Sequence, residues 1–324
     1  MSKDQDKTRA PTRSNERVVF LNGAILPESR ALLSFRDAGF VYGDAVFDTA
    51  RTFNGVPFRL KEHVDRLFES LAYVRIPVEM DRQEIIDATE DVIARNRPLL
   101  GDNEDYWVSQ RISRGVPAVD GEPPIQDGAT ILIECTPLPL RARAAMFRDG
   151  IDAVVAPLRR VPPDALSPNA KINNYMNAML SQREVAAVRP GAWAVQLDVR
   201  GNIAEGIGCN IFIVRDGVVI TPTTDYILPG ISRAVALELC EAEGIPVEER
   251  DVSMHLAATA SEIFFTSTSL CLCPVRSLNG RPYLGTAGPV TKRLMDAFRD
   301  LVGMDYVQQY LSHLRDGSTA RTGF

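Results

Sequence analysis

The chain has 324 residues, 45% hydrophobic and 24% charged, with a net charge of −6. That length allows two domains with a sizeable core, and an acidic balance without any basic block argues against nucleic acid as a partner. No apolar run approaches the ~20 residues that cross a bilayer, so no membrane partner is expected, and five cysteines in apolar runs read as the reduced thiols of a cytoplasmic protein.

In chain order, residues 1–16 form a polar leader without the apolar centre of a secretory signal, expected to be disordered. Residues 17–137 read as a small α+β domain of strands, then helices, then strands. RVVFLNGAIL, ALLSF, DAVFDTARTF and VPFRL look like strands, and Asn-Gly at 22–23 and 54–55 marks hairpins. KEHVDRLFESLAYV and RQEIIDATEDVIARN carry a helical apolar period, and YWVSQRISRG and ATILIECTPL return to strand.

Residues 138–148 read as an interdomain linker, and 149–303 as a larger mixed α/β domain. Its expected strands are IDAVVAPL, AWAVQLDV, NIFIVRDGVVITP, PVEERDV, EIFFTSTS and LCPVRSLNGRPY. One helix follows Lys171; ISRAVALELCEAEG, after Pro-Gly, and VTKRLMDAFRDLV are two more. The tail, 304–324, is expected to add one short helix. Cys271 and Cys273 share a strand face, but a metal would need further ligands and the three histidines lie far off in sequence, so no metal is expected.

Only five of the 36 basic residues are lysines. Arginine supplies charge but cannot serve as an amine nucleophile, whereas lysine can lose its proton and form a Schiff base. Lys171 stands between a Pro-rich loop and a helix, with Asn173, Asn174 and Tyr175 close behind. Taken alone it could equally be a solvated lysine at a helix start.

Six segments occur in order within residues 18–302: FVYGDAVFDTAR, KEHVDRLFESL, AKINNY, GNIAEGIGCNIF, LPGISRA, and TSTS followed by PV. Together they resemble the class IV, or fold-type IV, pyridoxal-phosphate aminotransferases. The C-terminal GPVTKRLMDAF is most similar to the branched-chain amino acid enzymes. The resemblance implies an α/β fold of that type, a homodimer, and pyridoxal 5'-phosphate held by Lys171 as a Schiff base. It also implies transfer of an amino group from an apolar, branched-chain L-amino acid to a 2-oxo acid such as 2-oxoglutarate.

Residue by residue, Lys171 matches the catalytic base and Glu205 the acidic partner of the pyridine nitrogen. Arg66 matches the phosphate arginine, although by itself it could pair with Asp65 or Glu69. Gly230, Ile231 and Ser232 match a phosphate turn at a helix N-terminus, where amides and dipole favour an anion. Thr268 is a further donor, and Tyr175 resembles an active-site tyrosine.

Strand alternation puts Phe47, Thr49 and Arg51 on one face, which by resemblance lines the substrate pocket. Arg51 could bind a carboxylate or brace a loop. Tyr42 matches a pocket tyrosine, and Trp107 an apolar wall, unless a register slip substitutes Tyr106. Ser269, with Thr268, would hold the substrate carboxylate. The loop VPAVDGEPP lacks the arginine and histidine of D-amino-acid enzymes. TSTS in place of Gly-Thr-Ala leaves an (R)-amine transaminase open, and the TAR of FDTAR is similar to aminodeoxychorismate lyase.

Overall fold

A computed structural model describes residues 16–283 and 287–315. Residues 1–15 of the expected leader and 316–324 of the tail lie outside the described residues. Strands β1 (Val18–Leu21) and β2 (Ala24–Pro27) form the first hairpin. Asn22 and Gly23 both take positive φ (48° and 85°), as a two-residue turn matched to strand twist requires.

The run ALLSF is not a strand. It crosses from a short 3-10 turn to helix α1 (Ala38–Tyr42) without pairing, and Leu32 and Phe35 are 81% and 78% exposed. Its apolar character finds no counterpart among the described residues of this chain, so no sheet captures it. Asp37 caps α1 through Gly39 N (2.8 Å) and accepts from the hydroxyls of Ser113 and Thr130 (2.8 and 2.6 Å).

Strands β3 (Ala45–Phe53), β4 (Val56–Pro57), β5 (Tyr106–Ser113) and β6 (Thr130–Pro137) complete an antiparallel sheet of order β2-β1-β6-β5-β3-β4. VPFRL contributes only two strand residues, because Arg59 turns left-handed (φ 53°) into helix α2. Helices α2 (Leu60–Val74) and α3 (Arg82–Asn96) pack their apolar stripes on one sheet face, around Val46, Ala50, Leu67, Ile85 and Val108. The other face carries Phe47, Thr49 and Trp107.

The expected linker is helix α4 (Leu140–Asp149). Leu140, Ala144 and Phe147, spaced i, i+4, i+7, give it a buried stripe. Prolines just before it punctuate the chain without preventing a helix, since proline is tolerated at helix starts. The tail helix α9 (Tyr306–Ser312) packs on α4, and the rings of Tyr310 and Phe147 stack at 4.4 Å. Tyr306 and Tyr310 are fully buried, so this helix is core rather than appendage.

The second sheet has nine strands: β7 (Ile151–Val155), β8 (Trp193–Leu197), β9 (Ile203–Gly206), β10 (Asn210–Arg215), β11 (Val218–Thr221), β12 (Val247–Glu249), β13 (Glu262–Ser267), β14 (Cys271–Leu278) and β15 (Arg281–Pro282). Its main path runs β12-β11-β10-β13-β14-β7-β8-β9, with parallel pairs where helices cross over. Helices α5 (Met176–Val188), α6 (Ile231–Ala242), α7 (Met254–Ala258) and α8 (Pro289–Val302) accompany it. No helix among the described residues is long and apolar enough to cross a membrane.

The two sheets meet through the chain around Lys171. Val46 and Ile172 form an antiparallel bridge, Phe47 N donates to Lys171 O (3.0 Å), and Asn173 N donates to Ala45 O (2.9 Å).

Candidate active site

Between the sheets lies a cavity of about 610 Å³. Lys171 enters it, and its Nζ donates to the Tyr175 hydroxyl (3.1 Å) and lies 4.4 Å from the centre of the Phe47 ring. Lys171 N donates to Ser70 Oγ on α2 (3.0 Å), a further tie to the first sheet's helices.

Glu205, on β9, is buried at one end of the cavity. Its carboxylate accepts from Arg160 Nε (2.8 Å), Leu228 N (3.1 Å) and Asn210 Nδ2 (3.3 Å). Burial raises its pKa, with Arg160 opposing the rise.

At the start of α6, Gly230 precedes the first-turn amides of Ile231 and Ser232, and no side chain caps them. Those N–H groups have no partner within the helix. Gly230 has an ordinary φ of −69°, so the residue is needed for space: a Cβ there would lie 2.2 Å from Asn210 Oδ1. Arg66 Nη1 donates to Pro229 O (2.9 Å) beside this turn.

Arg66 is aimed by Asp48, which it grips from Nε (2.8 Å) and Nη2 (2.9 Å). Asp65 and Glu69, its possible helix partners, are not used. Burial alone would raise the Asp48 carboxyl, but Arg66 and His63 hold it well below the usual carboxylate range. Thr268 lines the cavity, although its hydroxyl donates to Thr49 O (3.1 Å).

Phe47, Thr49, Trp107 and Ser269 also line the cavity. The register places Trp107 there, because Tyr106 points into the helix-packed core and donates its hydroxyl to Asn96 O (2.9 Å). Two expected pocket residues are elsewhere. Arg51, 2% exposed, lies outside the lining and braces the loop after β13: it donates to Ser269 O (3.2 Å), Cys271 Sγ (3.3 Å) and Gln309 Oε1 (2.9 Å). These acceptors converge on it from the second sheet and α9, drawing it away from the pocket. Tyr42 ends α1 at 73% exposure, outside this chain's cavity, because α1 projects from the first sheet.

Four groups were not anticipated. Asp48 had a signal: a charged residue on the buried face of an alternating strand needs a partner. Arg143 also had one, lying beside the apolar stripe of α4 in a segment expected to be a linker. Arg160 and Asn210, which hold Glu205, carry no local mark.

A lysine amine, a buried carboxylate and an uncapped helix N-terminus, gathered between two sheets, define a fold-type IV enzyme. Residues 45–278 match the amino-transferase class IV family, and the chain belongs to it. It is 36% identical over 287 residues to the putative branched-chain-amino-acid aminotransferase of Methanocaldococcus jannaschii, covering 87% of this chain and 96% of that protein. The crystal structure of the Escherichia coli branched-chain amino acid aminotransferase superposes with a TM-score of 0.79 at 30% identity, covering 93% and 97% of the two chains. The Thermobaculum terrenum branched-chain amino acid aminotransferase, in its PLP-form, gives 0.78 at 28%, covering 93% and 98%. Class IV aminotransferases use pyridoxal phosphate.

Proposed function

We propose that this aminotransferase holds pyridoxal 5'-phosphate in the cavity and moves amino groups from branched-chain L-amino acids to a 2-oxo acid such as 2-oxoglutarate. The observation that carries the reading is the presence, in one cavity, of the Lys171 amine, the buried Glu205 carboxylate and the uncapped α6 turn beside Arg66. When bound, the cofactor supplies an electron sink for the carbon that loses its proton.

The protein's own residues do the rest. The amides of Ile231 and Ser232 and the guanidinium of Arg66 bind the phosphate. Gly230 keeps the turn clear, and Thr268 completes its rim. Glu205, fixed by Arg160 and Asn210, keeps a proton on the pyridine nitrogen. Lys171 Nζ would hold the cofactor and, as a free amine, would take the proton from the substrate α-carbon. Tyr175 holds that amine in place. Phe47 and Trp107 exclude water and favour an apolar side chain, while Thr49 and Ser269 supply polar contacts.

The same reading assigns a cytoplasmic homodimer, with residues 17–137 and 149–303 as its two units. The exposed apolar side chains Leu32, Leu33, Phe35, Phe40, Val41 and Tyr42 support a covered face there. The test is a half-reaction of cofactor-loaded protein with L-leucine, D-alanine and (R)-1-phenylethylamine, followed by absorbance. L-leucine should convert the bound cofactor. Conversion chiefly by either alternative would replace the substrate assignment, and Lys171→Ala should fold yet not react.

A further inference from the structure

We propose that Arg143 is the receptor for a substrate carboxylate and so sets which acids the pocket accepts. The proposal deepens the transaminase reading above and rests on it. Five cationic side chains line the cavity. Arg66 is neutralised by Asp48, Arg160 by Glu205 (2.8 Å), and Arg111 faces Glu134 (3.4 Å). Lys171 meets Tyr175. Arg143 stands apart: among the described residues no carboxylate pairs with it.

Arg143 is 2% exposed, on α4. Its Nη1 meets the Ser269 hydroxyl, and its Nε has no hydrogen-bond partner. The guanidinium carbon lies 4.9 Å from the ring centre of Trp107 and 5.5 Å from that of Trp193. Burial pulls its pKa down, yet a guanidinium keeps its proton in a protein. A buried, charged and under-bonded fork facing a cavity is costly until an anion arrives. A carboxylate satisfies it best, because two parallel N–H donors match its two oxygens.

Its position fits a substrate rather than the cofactor. Lys171 Nζ lies by Phe47, which pairs with Arg111 on β5, whereas Arg143 lies by Trp107, four residues along the same strand. Lys171, Arg143 and Ser269 line one cavity, so a substrate reacting at Lys171 is held within the space that Arg143 and Ser269 bound. Two sources share that chemistry: the α-carboxylate common to all amino and 2-oxo acids, and the second carboxylate of a dicarboxylic substrate.

The test is calorimetric titration of cofactor-loaded protein with 4-methylpentanoate (one carboxylate), glutarate (two) and 4-methylpentanamide (none). Arg143→Gln should weaken acid binding at least tenfold and leave the amide unchanged, a difference that general loosening of the pocket would not produce. Equal loss for both acids identifies the α-carboxylate; loss for glutarate alone identifies the distal one. Acid affinities within twofold of wild type would overturn the proposal. If Arg143→Gln does not fold, Arg143→Lys decides the matter. It keeps the charge without the fork, so acids alone should bind at least threefold more weakly, and undiminished acid affinity counts against the receptor. Wild-type protein that binds acids but does not react with leucine would sink the branched-chain substrate assignment instead.

Discussion

Asp48→Asn tests the electrostatics behind Arg66, which stands beside the first turn of α6. Asp48 is fully buried and takes two hydrogen bonds from Arg66, at 2.8 and 2.9 Å, while His63 Nδ1 lies 2.6 Å from the same carboxylate. Breaking a buried ion pair from one side typically costs ~3–5 kcal/mol, because the surviving charge is left uncompensated. Asparagine keeps the volume and one acceptor oxygen, so the lower end, ~3 kcal/mol, is expected even though its NH2 group faces donors. Unfolding entropy near 2.1 cal/mol/K per residue, over 324 residues, then converts that loss into a melting temperature lower by about 4 °C. Arg66 would also lose its aim, and each ~1.4 kcal/mol lost from the phosphate contact weakens cofactor binding tenfold. Thermal melts of the cofactor-free protein, with absorbance titration of pyridoxal phosphate, measure both effects. A variant that melts within 1 °C of wild type and binds cofactor equally well would refute the reasoning.

Gly230→Ala meets no backbone penalty, but its Cβ would lie 2.2 Å from the buried Asn210 Oδ1, so it should lower the melting temperature as well. By displacing Asn210 it should weaken cofactor binding about tenfold, ~1.4 kcal/mol; affinity within twofold would show that the turn has room to spare. Burial lowers the His63 pKa despite the opposing pull of Asp48. Its folded value therefore lies below the ordinary ~6.5. The stability this confers is complete above pH 6.5 and is lost as pH falls through the folded value. His63→Gln should thus flatten the denaturant-stability profile between pH 7 and 5, and an unchanged slope would remove His63 from the acid response. Burial raises the thiols of Cys240 and Cys271 to about 11 and that of Cys135 to about 12, and also raises Cys209 and Cys273. Ellman's reagent at pH 8 should find no fast thiol in the native protein and five after denaturation; rapid native reaction would contradict this.

Period and punctuation located what is local. Helices α2 and α3 begin and end within one residue of KEHVDRLFESLAYV and RQEIIDATEDVIARN, because an apolar stripe and a capping box of Asp81 and Glu84 are written in the neighbouring residues. Both Asn-Gly pairs fall at hairpin turns for the same reason. Lys171, Glu205 and the Gly230 turn stand out in the sequence through the ordered segments that carry them, and the fold gathers all three at one cavity. Long-range partnership was not legible. Arg51 and Phe47 share a strand parity, yet Gln309, 258 residues beyond Arg51, helps hold that arginine outside the pocket. ALLSF has the composition of a strand without a partner strand, and α4 hid behind its prolines. The site's second layer, Asp48 and Arg160, exists only through contacts the chain makes after folding.

The ties beside Lys171 run from main chain to main chain: Phe47 N to Lys171 O, and Asn173 N to Ala45 O. Such bonds are indifferent to side-chain identity. They therefore fix the course of the main chain at Lys171 whatever side chains flank it, provided residue 173 keeps its N–H. Trp107 and Arg143 hang from β5 and α4, outside these ties, so a substitution at either leaves the anchor's backbone bonds in place. A backbone anchor of this kind separates where the lysine stands from which side chains surround it.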